Sequence, residues 1–128
     1  MFGSPQINFH VRDVEASVGF YRDVLGFKET FRTPEEGIPD HVELRLDGFV
    51  LGVASIDALL NVHGVSANAG GVPQAELLLW TDDVDKEIAR LGSLGVRVLS
   101  APHDFLDSLR AAWIADLDGN PIQVVMRR

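Results

Sequence analysis

The chain has 128 residues, which is the length of one domain or of two small units that share a core. Hydrophobic residues make up 46% and charged residues 23%, so collagen, coiled-coil and disordered classes are disfavoured. Because the chain has no cysteine, neither disulfides nor thiolate sites can form. The net charge of −8 repels phosphates, and no apolar run approaches the roughly 20 residues of a membrane helix, so we expect neither a nucleic-acid nor a membrane partner.

Two segments of the chain repeat one another at a nearly constant offset. Three landmark pairs carry the repeat, at offsets of 70, 69 and 71 residues: Asp13 and Asp83, Gly26 and Gly95, and Gly48 and Gly119. Two copies are too few to stack into a solenoid. The sequence therefore predicts two copies of one structural unit.

The first copy begins with a strand and a helix. Apolar and polar residues alternate over 6–11, which predicts a strand with one apolar and one polar face. Asp13 occupies an N-cap position, and apolar residues then recur every three to four positions until Gly26 ends the helix. The expected buried stripe consists of Val14, Val18, Tyr21 and Leu25. Extended segments at about 27–33, 41–46 and 49–54 complete this copy.

The second copy has the same order of elements. Asp83 caps its helix, Gly95 ends it, and the extended segments lie at about 96–100, 109–115 and 121–126. Its expected stripe consists of Val84, Ile88, Leu91 and Leu94. The predicted organisation is α+β, with one βαβββ unit at 1–54, a linker at 55–73 with a helical turn over 56–62, and a second βαβββ unit at 74–128. Such a linker allows the units to pair within one chain or to swap between two.

These features resemble the vicinal oxygen chelate superfamily. The resemblance rests on the paired βαβββ units, the segment VRDVEASVGFY that ends at Tyr21, the LGF at 25–27 and the DLDGN at 116–120. It covers essentially the whole chain and is specific for the fold but not for the reaction. The superfamily includes glyoxalase I, extradiol dioxygenases, methylmalonyl-CoA epimerase, fosfomycin-resistance enzymes and bleomycin-resistance proteins. The resemblance implies an open, cupped mixed sheet around a central cavity.

The resemblance also implies where a metal ion would be held, on the first and last strand of each unit. The corresponding positions here are Gln6, Gly52, Glu76 and Gln123. Family enzymes usually carry His and Glu there, whereas glycine offers no side-chain donor and amide oxygens are weak ligands for transition metals. None of the four histidines has the i, i+4 spacing of a helical zinc motif. We therefore expect no metal ion and no other cofactor, with a degenerate metal site as the alternative.

Strand alternation assigns side chains to the cavity face of each unit. The first unit contributes a polar set: Gln6, Asn8, His10, His41, Glu43 and Arg45. The second contributes a more apolar set: Glu76, Leu78, Trp80, Ala111, Trp113, Gln123 and Val125. Both tryptophans of the chain fall on this face, where they form either a stacking platform for a planar ligand or filling between the sheets.

Two further residues are candidates for ligand contacts. Glu76 has apolar strand neighbours, so we expect its carboxylate to be partly buried and to need a partner. The partner is either Arg45, Gln6 or Gln123, or Glu76 instead serves as counter-ion to a cationic ligand or as a general base. Phe105 lies in a predicted acidic loop, 101–107, at the cavity mouth and is a candidate lid residue or a local hydrophobic anchor.

The resemblance and these residues favour a metal-free small-molecule-binding protein, similar to bleomycin-resistance proteins that sequester an antibiotic. The acidic charge and the paired indoles suit a cationic or aromatic drug or metabolite. The alternatives are a lyase, isomerase or dioxygenase of the same superfamily, using Glu76 as base or a degenerate metal site, and an interaction module with a vestigial cavity. We expect a cytoplasmic homodimer.

Overall fold

A computed structural model describes all residues from 1 to 128, which divide into two compact units, Met1–Ala69 and Gly70–Arg128. Each unit contains one open, four-stranded mixed sheet and its helices, which confirms the predicted α+β class and the repeat. The division between the units falls inside the segment 55–73 that the sequence predicts as a linker. None of the helices is long and apolar enough to cross a membrane.

The sheet of the first unit follows the predicted strands to within one residue. Its strands are β1 (Ile7–Val11), β2 (Lys28–Thr33), β3 (His41–Leu46) and β4 (Phe49–Ser55). Their order in the sheet is β1-β4-β3-β2. β1 and β4 are parallel, whereas the other neighbours are antiparallel.

A capped helix covers one face of this sheet. Helix α1 (Val14–Gly19) begins after Asp13, whose carboxylate accepts a hydrogen bond from the backbone N–H of Ala16 at 3.0 Å. A π-helical turn over Phe20–Val24 continues it, where the sequence predicts ordinary helix. A single wider turn leaves too short a signature in hydrophobic spacing to be recognised.

The predicted stripe of α1 forms the core of the unit. Val14, Val18 and Tyr21 are buried and Leu25 is half-buried. The ring centroid of Tyr21, in the π-helical turn that continues α1, lies 6.5 Å from that of Phe9, so this helical segment packs on the face of the sheet that carries Phe9. We call the opposite face of each sheet its far face.

A second helix follows β4. Helix α2 (Ile56–His63) confirms the helical turn predicted over 56–62. The hydroxyl of Ser55 caps it by accepting a hydrogen bond from the N–H of Ala58, and Gly64 ends it with φ of +67°. The left-handed conformation at this position favours glycine.

The second unit repeats the topology of the first. Its strands are β5 (Leu77–Trp80), β6 (Val98–Phe105), β7 (Leu109–Ala115) and β8 (Pro121–Arg127), in the order β5-β8-β7-β6. β5 and β8 are parallel, as β1 and β4 are in the first unit. The turn from β7 to β8 is held by the buried Asp116, whose carboxylate accepts hydrogen bonds from the N–H groups of Asp118 and Asn120.

The helix of the second unit, α3 (Val84–Ser93), confirms the predicted cap. The carboxylate of Asp83 accepts a hydrogen bond from the N–H of Lys86 at 3.0 Å. Val84, Ile88 and Leu91 are buried as predicted, but the assignment of Leu94 to the buried stripe is wrong, because this residue is 58% exposed. Leu94 follows the last helical residue, so it no longer shares the buried face.

The predicted loop 101–107 is mostly strand, which is a correction to the sequence analysis. β6 continues to Phe105 although Pro102 cannot donate to a ladder. The pairing of β6 with β7 shifts register between Val98 and Ser100 and again between Ser100 and His103. The second irregularity spans Pro102 and lets the strand resume beyond it.

Candidate functional site

The far face of the first sheet carries the polar set that alternation predicts. The pairing of β1, β4 and β3 places Asn8, Gly52 and Glu43 in one row and His10, Ala54 and His41 in the next. Arg45 follows on the same face of β3, opposite Val50, and is exposed. Gln6 precedes β1, and its side-chain amide donates to Asn8 Oδ1 at 2.9 Å. These predicted residues therefore share one surface.

Gly52 leaves room for two of these side chains. A Cβ atom built at this position would collide with Asn8 Oδ1 and would lie 2.8 Å from Cε1 of His41. The imidazole of His41 is also 3.4 Å from a carboxylate oxygen of Glu43, through Nε2. Asn8 and His41 thus meet over Gly52, in the space that any larger residue would need.

Phe31 also belongs to this face, and the sequence analysis did not select it. It pairs with Glu43 across β2 and β3, and its ring centroid lies 6.4 Å from that of His41. The register of β2 shifts between Glu29 and Phe31, so simple alternation along this strand does not give the correct face.

The far face of the second sheet carries both tryptophans, as predicted. Trp80 pairs with Val125, and Trp113 pairs with Gln123, which in turn pairs with Leu78. On the opposite face, the N–H of Val84 in α3 approaches the sulfur of Met126, which confirms that Val125 points away from the helix. Ala111 completes the predicted set by pairing with Val125.

Glu76 differs from its prediction in exposure and in partner. Its side chain is exposed, and Oε2 accepts a hydrogen bond of 2.8 Å from the indole Nε1 of Trp113. The expected partial burial is therefore wrong, because Glu76 lies just before β5 begins rather than within it. The sequence analysis did not name the indole N–H as a partner; its hydrogen bond orients the carboxylate and leaves Oε1 for another donor.

An aromatic row extends from Trp113 along the far face. The imidazole of His103 is stacked on the indole, with centroids 5.9 Å apart and planes 14° from parallel, and the half-buried ring of Phe105 follows at 6.4 Å. Nδ1 of His103 lies 2.8 Å from the carbonyl oxygen of Ala101. The sequence analysis placed His103 in a loop after Pro102, and only recognition of a bulged strand would have placed it beside Trp113.

Arg127 is the second residue of this face that the sequence analysis missed. Its guanidinium carbon lies 4.8 Å from the ring centroid of Trp80. β8 is one residue longer than predicted, and this last strand residue lies on the same face as Val125. Trp80, Thr81, Asp82 and Arg127 line an open recess of about 750 Å³.

Comparison with known proteins decides the family. A family model described as the Glyoxalase/Bleomycin resistance protein/Dioxygenase superfamily matches residues 3–124. The chain belongs to this superfamily. The resemblance seen in the sequence motifs is therefore confirmed, whereas a comparison with curated proteins finds no match.

Solved structures share the superfamily fold. A hypothetical protein from S. aureus is 25% identical and superposes with a TM-score of 0.78, covering 98% of this chain and 95% of that chain. TioX from Micromonospora sp. ML1 is 23% identical, with a TM-score of 0.75 and coverages of 98% and 100%. Lactoylglutathione lyase from Agrobacterium tumefaciens is 22% identical, with a TM-score of 0.71 and coverages of 96% and 92%.

The residues at the superfamily's metal-ligand positions do not fit a divalent transition metal. Gly52 has no donor, and Asn8 and His41 already fill the space where its side chain would begin. Gln6 and Gln123 offer neutral amides, and the one carboxylate, Glu76, is hydrogen-bonded to Trp113. Nowhere in the chain do three or more His, Asp or Glu side chains form a group suited to a metal ion.

Proposed function

We propose that this protein is a metal-free small-molecule-binding member of the superfamily, which sequesters a planar aromatic or cationic drug or metabolite on the far face of its second sheet. One observation carries the proposal: Trp113 is fixed between the carboxylate of Glu76 and the ring of His103. An aromatic ring whose plane is already fixed loses little conformational entropy when a flat ligand stacks on it.

The chemistry of this face suits such a ligand. Trp80 is 55% exposed, so a large apolar ring faces solvent on the same surface as Trp113. Exposed aromatic surface with a few polar groups is typical of ligand sites. The free oxygen of Glu76 accepts a hydrogen bond from a ligand N–H and acts as counter-ion to a cationic ring.

A charge-matched pair of variants tests the role of Glu76. Glu76→Gln keeps an oxygen that accepts from Trp113 but removes the charge, so it should weaken binding of proflavine, a planar cation, by about tenfold. The affinity for acridone, a neutral planar analogue, should fall by less than about twofold in Glu76→Gln. Glu36→Gln removes the same charge from an exposed loop of the first unit and should change the affinity for neither dye. Tryptophan fluorescence quenching measures both affinities. Absence of binding by both dyes contradicts the proposal.

Metal analysis tests the other half of the proposal. Elemental analysis after dialysis should find no stoichiometric Zn, Ni, Fe or Mn, because the donor set at Gln6, Gly52, Glu76 and Gln123 is too weak. One equivalent of any of these metals, lost in Glu76→Ala, would overturn the metal-free assignment.

An enzyme of the lyase or isomerase type is the second candidate function. It is favoured by the exposed carboxylate of Glu76, whose Oε1 is free to accept a proton from a substrate. Incubation with the hemithioacetal of methylglyoxal and glutathione distinguishes the candidates. We expect no conversion above the protein-free rate, whereas conversion that disappears in Glu76→Gln would favour the enzyme.

A further inference from the structure

Trp80 contacts Arg127, a charged residue to which the proposed function gives no role. The guanidinium carbon of Arg127 lies 4.8 Å from the indole centroid of Trp80, within the range of a cation–π contact. A cation–π contact leaves most of the five N–H donors of a guanidinium available to other acceptors.

Arg127 differs from most other arginines of this acidic chain in having no protein carboxylate within 4.0 Å. Such ion pairs hold Arg22, Arg32, Arg90, Arg110 and Arg128. In a chain with 19 acidic and 11 basic residues, an exposed arginine that pairs with a tryptophan instead of an acid retains its capacity for an external anion. Its planar fork matches a carboxylate or a similar oxyanion.

The surroundings of this pair have a volume within the range of small-molecule sites. The open recess lined by Trp80, Thr81, Asp82 and Arg127 has a volume of about 750 Å³. Small-molecule sites usually measure about 300–1,000 Å³. Asp82 lies in the same recess and forms no ion pair with Arg127, so its charge opposes an anion there while the guanidinium of Arg127 favours one.

We infer that Trp80 and Arg127 form a second ligand subsite, which binds a planar molecule through a carboxylate or another anionic group. This inference rests on the proposed function, because it assumes that the far face of the second sheet binds small molecules. It specifies that one part of the ligand carries a negative charge. Glu76, just before the other end of β5, selects the opposite charge, so the face as a whole suits a flat molecule that carries both kinds of group.

Two isosteric probes test the subsite. 2-Naphthoate and 2-naphthamide have the same rings and differ in charge. Binding of either probe is followed by the indole N–H signal of Trp80 in a ¹⁵N–¹H spectrum. Trp80→Phe assigns that signal. Arg127→Gln should weaken 2-naphthoate binding by about tenfold and 2-naphthamide binding by less than about twofold. Arg128→Gln is the matched control, because it removes the same charge from a neighbour already paired with Asp104, and it should change both affinities by less than about twofold. Asp82→Asn should strengthen only 2-naphthoate binding.

Each outcome decides between the two proposals. Equal losses for the two probes in Arg127→Gln, or an equal loss of 2-naphthoate in Arg128→Gln, overturn the anionic subsite and leave the small-molecule function standing. Binding of 2-naphthamide without binding of 2-naphthoate also overturns the anionic subsite and leaves the small-molecule function standing. If neither probe shifts the indole signals of Trp80 and Trp113, and proflavine also fails to bind, the proposed function fails together with this inference.

Discussion

Gly52 shows at the scale of one residue how this chain departs from the metal-ligand pattern that the superfamily resemblance implies. A side chain at this position would collide with Asn8 and approach Cε1 of His41 to 2.8 Å. Both atoms are the ends of side chains, so they can move aside, but the arrangement over Gly52 is then lost. The absence of a metal-coordinating side chain at position 52 therefore also allows Asn8 and His41 to pack over Gly52 on the far face.

Gly52→Ala should displace His41 at little cost in stability. The rotation of Asn8 and His41 is offset by the better strand preference of alanine, so the free energy of unfolding should change by less than about 1 kcal/mol. The ring signals of His41 should nevertheless shift in NMR spectra. Gly92→Ala is the control, because nothing lies within 4 Å of its Cβ, and it should stabilise the protein by about 0.5–1 kcal/mol without moving His41. Unchanged His41 signals in Gly52→Ala would contradict the contact.

Residue by residue, alternation predicted which side chains share a face but not which of them touch. It placed Trp113 and Glu76 on one face of the second unit, yet it could not show that the indole N–H reaches the carboxylate. That contact depends on side-chain torsions and on where β5 begins, neither of which leaves a periodic signal. His103 was missed for a different reason, because the proline before it normally ends a strand.

Among the elements, ion pairs tie helix to sheet in both units. Arg32 on β2 contacts Glu15 of α1 at 2.7 Å and Glu29 at 2.8 Å. Its hydrogen bonds lower the pKa of Glu15 and the pKa of Glu29. In the second unit, Arg110 on β7 contacts Asp85 of α3 at 2.7 Å, and its hydrogen bond lowers the pKa of Asp85.

Arg32→Gln should therefore destabilise the protein in a pH-dependent way. At pH 7 we expect the free energy of unfolding to fall, because Glu15 and Glu29 both lose their hydrogen-bonded partner. A carboxyl with a lowered folded pKa stabilises above its unfolded pKa, and this contribution is lost as the pH falls through the folded pKa. The difference from wild type, measured by urea denaturation, should shrink between about pH 5 and pH 3. A constant difference, or an equal loss in Arg97→Gln, would show that the pairs do not carry the effect.

The two helix caps offer a second test at this scale. Asp13→Ala and Asp83→Ala should each lower the free energy of unfolding by about 1 kcal/mol, because each removes an acceptor for a helix N–H. Asp82→Ala is the matched control, since Asp82 is an exposed neighbour that does not cap α3, and it should cost less than about 0.5 kcal/mol. Equal losses at Asp82 and Asp83 in urea denaturation would contradict the assignment of the cap.

Elements with strong periodicity were predicted closely, and irregular ones were not. β3 and β7 have the predicted bounds because alternation and flanking turns both mark them. The π-helical turn over Phe20–Val24 and the continuation of β6 from Ala101 to Phe105 were missed, since each departs from a regular hydrogen-bond pattern for only a few residues. Leu94 was misplaced because periodicity does not show on which residue a helix ends.

For the whole molecule, the internal repeat was the strongest signal in the sequence. The offsets between Asp13 and Asp83 and between Gly26 and Gly95 predicted two equivalent units, and both units indeed have their first strand parallel to their last. The repeat could not predict the ligand, because the positions that determine the fold lie on the helix side of each sheet and the far faces differ between the copies.

The oligomeric state is a prediction for the whole molecule. We expect a homodimer, because edge strands and apolar side chains such as Leu78, Ile38 and Leu99 are exposed and favour covering by a second copy. Light scattering at several concentrations should give a mass twice that of the 128-residue chain. A monomer mass at every concentration would contradict this expectation.

The most direct test of the proposed function compares binding with stability in the same variants. Trp80→Ala and Trp113→Ala should each weaken proflavine binding by about 1–3 kcal/mol, as expected for an aromatic anchor. Trp80→Ala should cost little stability, because its side chain is largely exposed. If the account is correct, dye titration shows lost affinity while urea denaturation shows a folded protein. A loss of about 3–5 kcal/mol in stability with unchanged affinity would show that the indoles pack the protein and bind no ligand.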